Sequence, residues 1–321
     1  MIIVTGAYGF IGSCLVQRLN ERGHKDVVVV DDFYQENKEP NLAGKAIREW
    51  VHRDIFQSWF EKSAKYVDFV FHIGARTDTM SKDKQVFDTL NLNYSKEIWK
   101  ICARAGIPLV YASSAATYGD GAHGYSDDES LLPKLQPMNE YAISKHAFDL
   151  WALEQKAAPP RWAGLKFFNV YGPNEYHKGR MASVIWHGFQ QIDTTGNLKL
   201  FKSHKTGIAD GEQKRDFIYV KDILDICLHF MDNTCPNGIY NAGTGQARTF
   251  LDLGRSIFSA LELPESIEFI PTPENIRETY QYFTQAEMEK LRSTGYQKPF
   301  TSLEDGVREY VVDFLVLGTY Y

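Results

Sequence analysis

Near-continuous apolar runs punctuate the first half of the chain: IIVT (2–5), VVVVD (27–31), FVFHI (69–73), LVYAS (109–113) and then AGLKFFNV (163–170). Runs of this kind predict strands covered on both faces rather than strands with one wet side. Helix-period patterns lie between them, in IGSCLVQRLNER (11–22) and NYSKEIWKICARAG (93–106), the second closing on Gly106 at a C-cap position. Strand, helix and strand in repetition predict an α/β fold. The expected architecture is a doubly wound parallel sheet of the Rossmann kind, with right-handed crossovers.

Beyond residue 170 the pattern loosens. YGPNEYHKGR (171–180) is rich in turn formers, and 194–217 mixes a short strand with a polar loop. VKDILDICLHFMD (220–232), 250–263 and 301–315 have helical period, while EFIPTP (268–273) suggests a strand. Thr301 and Glu304 stand at capping-box spacing at the start of the last helix. With 321 residues the chain can bury a large core. The expected division is a dinucleotide-binding domain over 1–168, rejoined by 214–238. A smaller mixed α/β substrate lobe takes 169–213 and 239–321.

Composition removes several classes of function. A formal charge of −6 gives no basic surface for nucleic acid. No apolar run approaches the length that spans a bilayer, and MIIVTG enters a strand without a basic leader, so a cytoplasmic protein is expected. Cys14, Cys102, Cys227 and Cys235 lack C-x-x-C spacing, which predicts free thiols and no metal site.

The candidate chemistry begins at TGAYGFIG, which sets Gly6, Gly9 and Gly12 between the first strand and the first helix. Glycines there permit a tight turn, a close approach to a pyrophosphate and close packing of helix on strand. The helix N-terminus adds N–H donors and partial positive charge. Asp31 closes the second strand, where a carboxylate accepts from an adenosine ribose, and by itself suggests NAD. Lys38 and Arg53 stand nearby in sequence and suit a 2′-phosphate, so NAD and NADP both remain open from the residues alone.

YASSAATYG places Ser113, Ser114, Thr117 and Tyr118 at the carboxyl end of the fourth predicted strand. In YAISK, four-residue spacing puts Tyr141 and Lys145 on one helix face. A phenol is a poor base at neutral pH, and neighbouring positive charge lowers its pKa. A serine hydroxyl such as Ser114 can fix a substrate oxygen beside it. Glycine loop, strand-end serines and Y-x-x-x-K, in this order, resemble the extended short-chain dehydrogenase/reductase family over most of the chain. The nucleotide-sugar 4,6-dehydratases of that family carry an acidic pair where this chain has Ala115 and Ala116. Elimination then lacks its proton shuttle, so a dehydratase is not expected.

Further stretches narrow the resemblance. FNVYGPNEYHKGRMASVIWH, LFKSH, KRDFIYVKD, YNAGTGQA and TYQYFTQAEMEKLRSTGYQKPF look like those of the ADP-L-glycero-D-manno-heptose 6-epimerases, in order and over nearly the full length. The resemblance implies that NADP takes hydride from C6 of the heptose and returns it to the opposite face of the bound carbonyl intermediate. The carbonyl oxygen at C6 then occupies two positions, each in need of a proton-active group. The match implies Tyr141 for one and Lys178 for the other, with Ser114 and Lys145 completing the catalytic set. A Lys178 that merely pairs with a substrate phosphate is the rival reading.

Carried over position by position, the resemblance implies cofactor contacts from Phe10, Ile11, Asp31, Asp32, Lys38, Arg53, Ile73, Gly74, Ala75, Arg76, Thr77, Asn91, Lys145, Val170 and Lys178. It implies substrate contacts from Asn169, Arg180, His187, Phe201, Lys202, Ser203, His204, Arg215 and Tyr280. Arg180 stands where the family often has a small polar residue, and 206–213 is a longer insertion. Arg215 suits a diphosphate through its planar fork, or else a structural ion pair with Asp216 or Asp222. The resemblance further implies a homo-oligomer, specifically a pentamer, and a role in the heptose inner core of lipopolysaccharide. A UDP- or GDP-sugar 4-epimerase and a non-catalytic dinucleotide sensor are the alternatives, the second disfavoured by an intact Ser114, Tyr141 and Lys145.

Overall fold

The computed structural model describes residues 1–277 and 280–321, so Thr279, which opens the TYQYF stretch, lies outside the described residues. Its first strands are β1 (Ile2–Thr5), β2 (Val27–Asp31), β3 (Glu49–His52), β4 (Phe69–His72), β5 (Leu109–Ser114) and β6 (Trp162–Phe167). They are followed by β7 (Asn169–Tyr171), β8 (Leu198–Phe201), β9 (Lys214–Tyr219), β10 (Gly238–Ala242), β11 (Ala247–Thr249) and β12 (Ile267–Ile270). Seven of them form one parallel sheet in the order β10-β6-β5-β4-β1-β2-β3. A three-stranded sheet, β11-β9-β7, and the parallel pair β12-β8 make up the rest.

The apolar runs form β1, β2, β4 and β5, whose side chains are buried on both faces apart from a half-exposed Asp31. Helices Phe10–Glu21 and Tyr94–Ala105 cover them with Cys14, Leu15, Leu19, Ile98, Trp99 and Cys102. The second helix ends at Gly106 in the left-handed conformation, φ +70°. All four cysteines are free. From β1 the strand order runs one way to β2 and the other way to β4, which opens a crevice at the carboxyl ends of β1 and β4. Gly6 and Gly74 meet there: a Cβ at Gly6 would lie 2.5 Å from the Gly74 Cα.

Several elements differ from the pattern-based expectation. The run 163–170 is two strands, because a Val170 N–H to Phe168 carbonyl bond (2.9 Å) turns the chain from the large sheet into the small one. The edge strand β3 buries only Val51 fully and leaves no apolar run to read. The strand that returns to the large sheet is β10, at 238–242, whereas 214–219 pairs with β7 and β11. The last helix, Leu303–Glu309, is capped one residue later than predicted, by Ser302 with Asp305. Thr301 instead holds Asp222 through its N–H and hydroxyl, at 2.9 and 3.0 Å.

Candidate active site

The glycine loop leads into an open helix N-terminus. Gly9 caps helix Phe10–Glu21 without a side-chain hydrogen bond, and the first turn carries no acidic residue, so the helix N-terminus is open to an anion. A Cβ at Gly12 would stand 2.1 Å from the Gly6 carbonyl oxygen, which only glycine avoids. Asp31 shapes the loop from the end of β2, accepting the Tyr8 N–H at 3.0 Å and the Asp32 N–H at 2.8 Å. Burial raises the Asp31 pKa, while Lys38 and its two backbone donors act the other way. Arg53 pairs with Asp32 at 3.1 Å. Phe10 and Ile11 open the helix beside the loop.

The residues after β4 are fastened from behind. Asn91 lies in a π-helical turn, Asp88–Asn93, and accepts the Arg76 N–H at 2.7 Å while donating to the Arg76 carbonyl at 3.0 Å. π-turns recur at functional sites because they rotate one side chain out of helical register. Here the rotated group steadies the turn that carries Ile73, Gly74, Ala75, Arg76 and Thr77, and the Gly74 N–H also reaches the Thr5 hydroxyl at 3.2 Å. Asn91 further donates to the Ser144 hydroxyl at 3.0 Å, which joins this turn to helix Glu140–Glu154.

That helix carries Tyr141 and Lys145. Lys145 is buried, and its ammonium donates to the Ala112 carbonyl at 2.9 Å. Burial pulls its pKa down to about 8, with Asp149 opposing the change. The Tyr141 phenol sits beside Ser114; burial raises its pKa, the Ser114 hydrogen bond lowers it, and Asp149 raises it. Of the side chains expected together at the sheet edge, only Ser114 faces Tyr141. Ser113 turns inward to Asp149 at 2.6 Å, Thr117 donates to the Ser114 carbonyl at 2.7 Å, and the Tyr118 hydroxyl meets Asn241 at 2.7 Å.

Lys178 reaches the crevice from another direction. It sits in the one-turn stretch Tyr176–Met181, which breaks at Gly179 with φ +52°. Its ammonium lies 5.2 Å from the centre of the Phe10 ring, at the head of the glycine-loop helix. Burial lowers the Lys178 pKa and the fully buried Glu175 opposes this. Glu175 in turn takes the Ser183 N–H and hydroxyl, both at 2.6 Å. Arg180, two residues on, is exposed and points to Asp78, at 2.9 and 3.1 Å. In this state its guanidinium is committed to the turn after β4.

Several of the remaining substrate candidates lie around Arg215. Among the described residues its polar partners are two carbonyls, of Lys214 and Gln281, and no carboxylate. The guanidinium lies over the Phe250 and Tyr280 rings, at 5.7 and 5.4 Å. The salt-bridge alternative is overturned: Asp216 is occupied by Thr244, Gly245 and Ala286, and Asp222 by Thr301. Tyr280 packs edge-on to Phe201 and His204, and the His204 N–H donates to the Tyr282 hydroxyl at 2.7 Å. Lys202 and Ser203 follow β8, where the Ser203 N–H meets Asp210 of the insertion at 2.8 Å. Asn169 is exposed beside Thr284 (3.4 Å), Val170 is half-buried, and His187 lies against Trp186.

A cavity of about 520 Å³, lined by Arg18, Asp225, His229, Tyr296 and Lys298 among others, contains none of these residues and lies at the far ends of the helices. The crevice, bordered by the glycine loop with Lys178 over Phe10 and by the helix that carries Tyr141 and Lys145, is the candidate active site. The sequence reading missed Asp149, Lys166 and Glu175, all fully buried. A lysine inside the apolar run AGLKFF was the visible signal for the second of these.

The model of the NAD dependent epimerase/dehydratase family matches residues 2–243, and the chain belongs to that family. Over 325 residues it is 46% identical to the ADP-L-glycero-D-manno-heptose-6-epimerase of Fusobacterium nucleatum, with 98% of both chains covered. It superposes on the ADP-L-glycero-D-manno-heptose-6-epimerase of Helicobacter pylori with a TM-score of 0.79 at 27% identity, covering 97% of this chain and 94% of that one. The UDP-N-acetylglucosamine 4-epimerase of Methanobrevibacter ruminantium shares the fold, with a TM-score of 0.81 at 23% identity and 98% of each chain covered.

Proposed function

We propose that this protein is an NADP-dependent isomerase that converts ADP-D-glycero-D-manno-heptose to ADP-L-glycero-D-manno-heptose by inverting C6. The observation that carries the reading is the second proton-active group: Lys178 enters the crevice over Phe10, on a segment separate from the Tyr141–Lys145 helix. When bound, the cofactor would take a hydride from C6 and return it. The chain's own part is proton traffic at the C6 oxygen. Tyr141, with Ser114 beside it, serves one orientation of that oxygen and Lys178 the other. Lys145, held on the Ala112 carbonyl, supplies positive charge that favours the ionised phenol. Arg215, whose polar partners among the described residues are carbonyls, receives the diphosphate.

Lys38 and Arg53 beside Asp31 and Asp32 favour NADP over NAD. A cytoplasmic homo-oligomer, pentameric in solution, completes the proposal. The decisive experiment incubates the protein with ADP-D-glycero-D-manno-heptose in heavy water and follows the C6 proton by NMR. Inversion without deuterium at C6 is expected, since the hydride returns internally. Incorporation of deuterium there, or turnover of UDP-sugars at C4 with the heptose untouched, overturns the reading.

A further inference from the structure

Helix Glu140–Glu154 carries three ionisable side chains at four-residue intervals: Tyr141, Lys145 and Asp149. The first two belong to the proposed chemistry. Asp149 lies one turn deeper and pairs with Lys166 of β6 at 2.7 Å, with both side chains wholly out of solvent. The same Asp149 oxygen accepts from Ser113 at 2.6 Å, and the other accepts from Tyr111 at 3.1 Å. Lys166 donates also to the Thr117 hydroxyl at 2.6 Å and lies 5.2 Å from the centre of the Tyr118 ring. Thr117 in turn donates to the Ser114 carbonyl at 2.7 Å. An unbroken chain of hydrogen bonds therefore runs from the proton-transfer helix to the backbone of Ser114.

Stability alone does not account for such a pair. Removing two charges from water costs as much as their attraction returns, and apolar residues of similar volume commonly do as well or better. Its position offers another account, since it ties together the two elements that hold the phenol and its serine partner. We propose that Asp149 and Lys166 are positioning residues of the reaction, pinning the Ser114 shelf to the Tyr141 helix and keeping a fixed carboxylate one turn beneath Lys145. The inference rests on the function proposed above.

The surrounding charges leave Asp149 as the principal negative group for both Tyr141 and Lys145. His72, facing Lys145 from β4, has its pKa pushed down to about 3 by burial and stays neutral. His146 on the same helix is depressed by burial and by Lys166. Tyr111 and Tyr118, from β5 and the turn after it, are raised well above the ordinary phenol value by burial first, then by Asp149 and Glu129 on Tyr111 and by Asp127 and Asp149 on Tyr118. Asp149 favours the protonated forms of Tyr141 and Lys145 alike. Without it, both groups release their protons more readily.

The test is an Asp149→Asn/Lys166→Gln double variant, which removes both charges and nearly preserves shape. The acid limb of its kcat/KM–pH profile is expected to move down by about half a pH unit or more, with kcat falling about tenfold and KM little changed. Difference absorbance of the phenolate, between proteins with Tyr and with Phe at position 141, should shift in the same direction without any substrate. An Asp149→Leu/Lys166→Met variant carries the same readouts where the first does not fold. Unmoved titrations in a folded variant, with activity lost only in step with stability, overturn the inference. A wild type inert towards the heptose would sink the functional reading alone, because the phenolate titration still decides the positioning role.

Discussion

The crevice over β1 and β4 and the aromatic patch around Arg215 are built on opposite plans. In the crevice most of the polar side chains that frame the site are already engaged, with Lys178, set over the Phe10 ring, an exception among the described residues. Lys145 is spent on a carbonyl, Asn91 on both backbone atoms of Arg76, and His72 on Thr5 (2.7 Å) and Ser95 (2.8 Å). Around Arg215 the guanidinium meets carbonyls and ring faces, and Lys202 and His204 are exposed on a loop. Under the proposed reaction, proton transfer tolerates little positional error, which fits framing groups locked before any ligand arrives. A lobe that receives a charged nucleotide sugar benefits from groups whose pairing the ligand completes.

The sharpest way to break this contrast is through the two proton-active groups. Lys178→Met and Tyr141→Phe should each lower kcat by ~10²–10⁴-fold while the cofactor still binds, as read by turnover and by fluorescence titration. Loss in only one of the two would mean that a single group serves both orientations. Arg215→Lys keeps the charge and removes the planar fork, so ADP affinity should weaken roughly 10–100-fold in calorimetry with cofactor affinity unchanged. Equal weakening of both ligands would erase the division between the two regions.

A third prediction concerns the locked region alone and turns on pH. His72 keeps a folded-state pKa of about 3, because burial, aided by the Lys145 charge, opposes protonation. The unfolded chain binds this proton below about 6.5, so between those values it carries more protons than the folded state. Stability should therefore fall as pH drops from 6.5 towards 3. His72→Gln should flatten that slope by up to ~1.4 kcal/mol per pH unit in denaturant melts at pH 4, 5, 6 and 7. His177, with a pKa near 4 for the same main reason, keeps part of the slope in place. An unchanged slope would show that His72 already titrates in the folded protein.

The same contrast explains what was legible in the sequence. β1, β2, β4 and β5 are covered on both faces, and burial writes itself as unbroken Val, Ile and Phe. β9 was hidden although five of its six residues are buried, because KRDFIY buries Arg215 and Asp216. Asp216 is satisfied by N–H groups of Thr244, Gly245 and Ala286, partners that no periodicity reveals. Asp149 and Lys166 escaped notice for the same reason. Sequence pattern records what is excluded from water by default, while buried charges depend on partners distant in the chain.

Arg180 provides the last and smallest test, because its sequence-based assignment and its structural surroundings diverge. The resemblance places it among the substrate contacts, yet it pairs with Asp78 across two surface turns, supported by Thr79 beside Met181 at 3.8 Å. Arg76 stands 3.6 Å from the same carboxylate, so Asp78 is already partly neutralised. The Arg180 side chain is 64% exposed, and exposed ion pairs contribute ~1 kcal/mol or less. Arg180→Ser should therefore change KM for the ADP-sugar by less than about threefold at physiological salt. A KM increase comparable to that of Arg215→Lys would mean that the guanidinium leaves Asp78 and swings onto the substrate. In that case the clasp between the two turns is a resting state, and the lobe's open plan extends to the edge of the crevice itself.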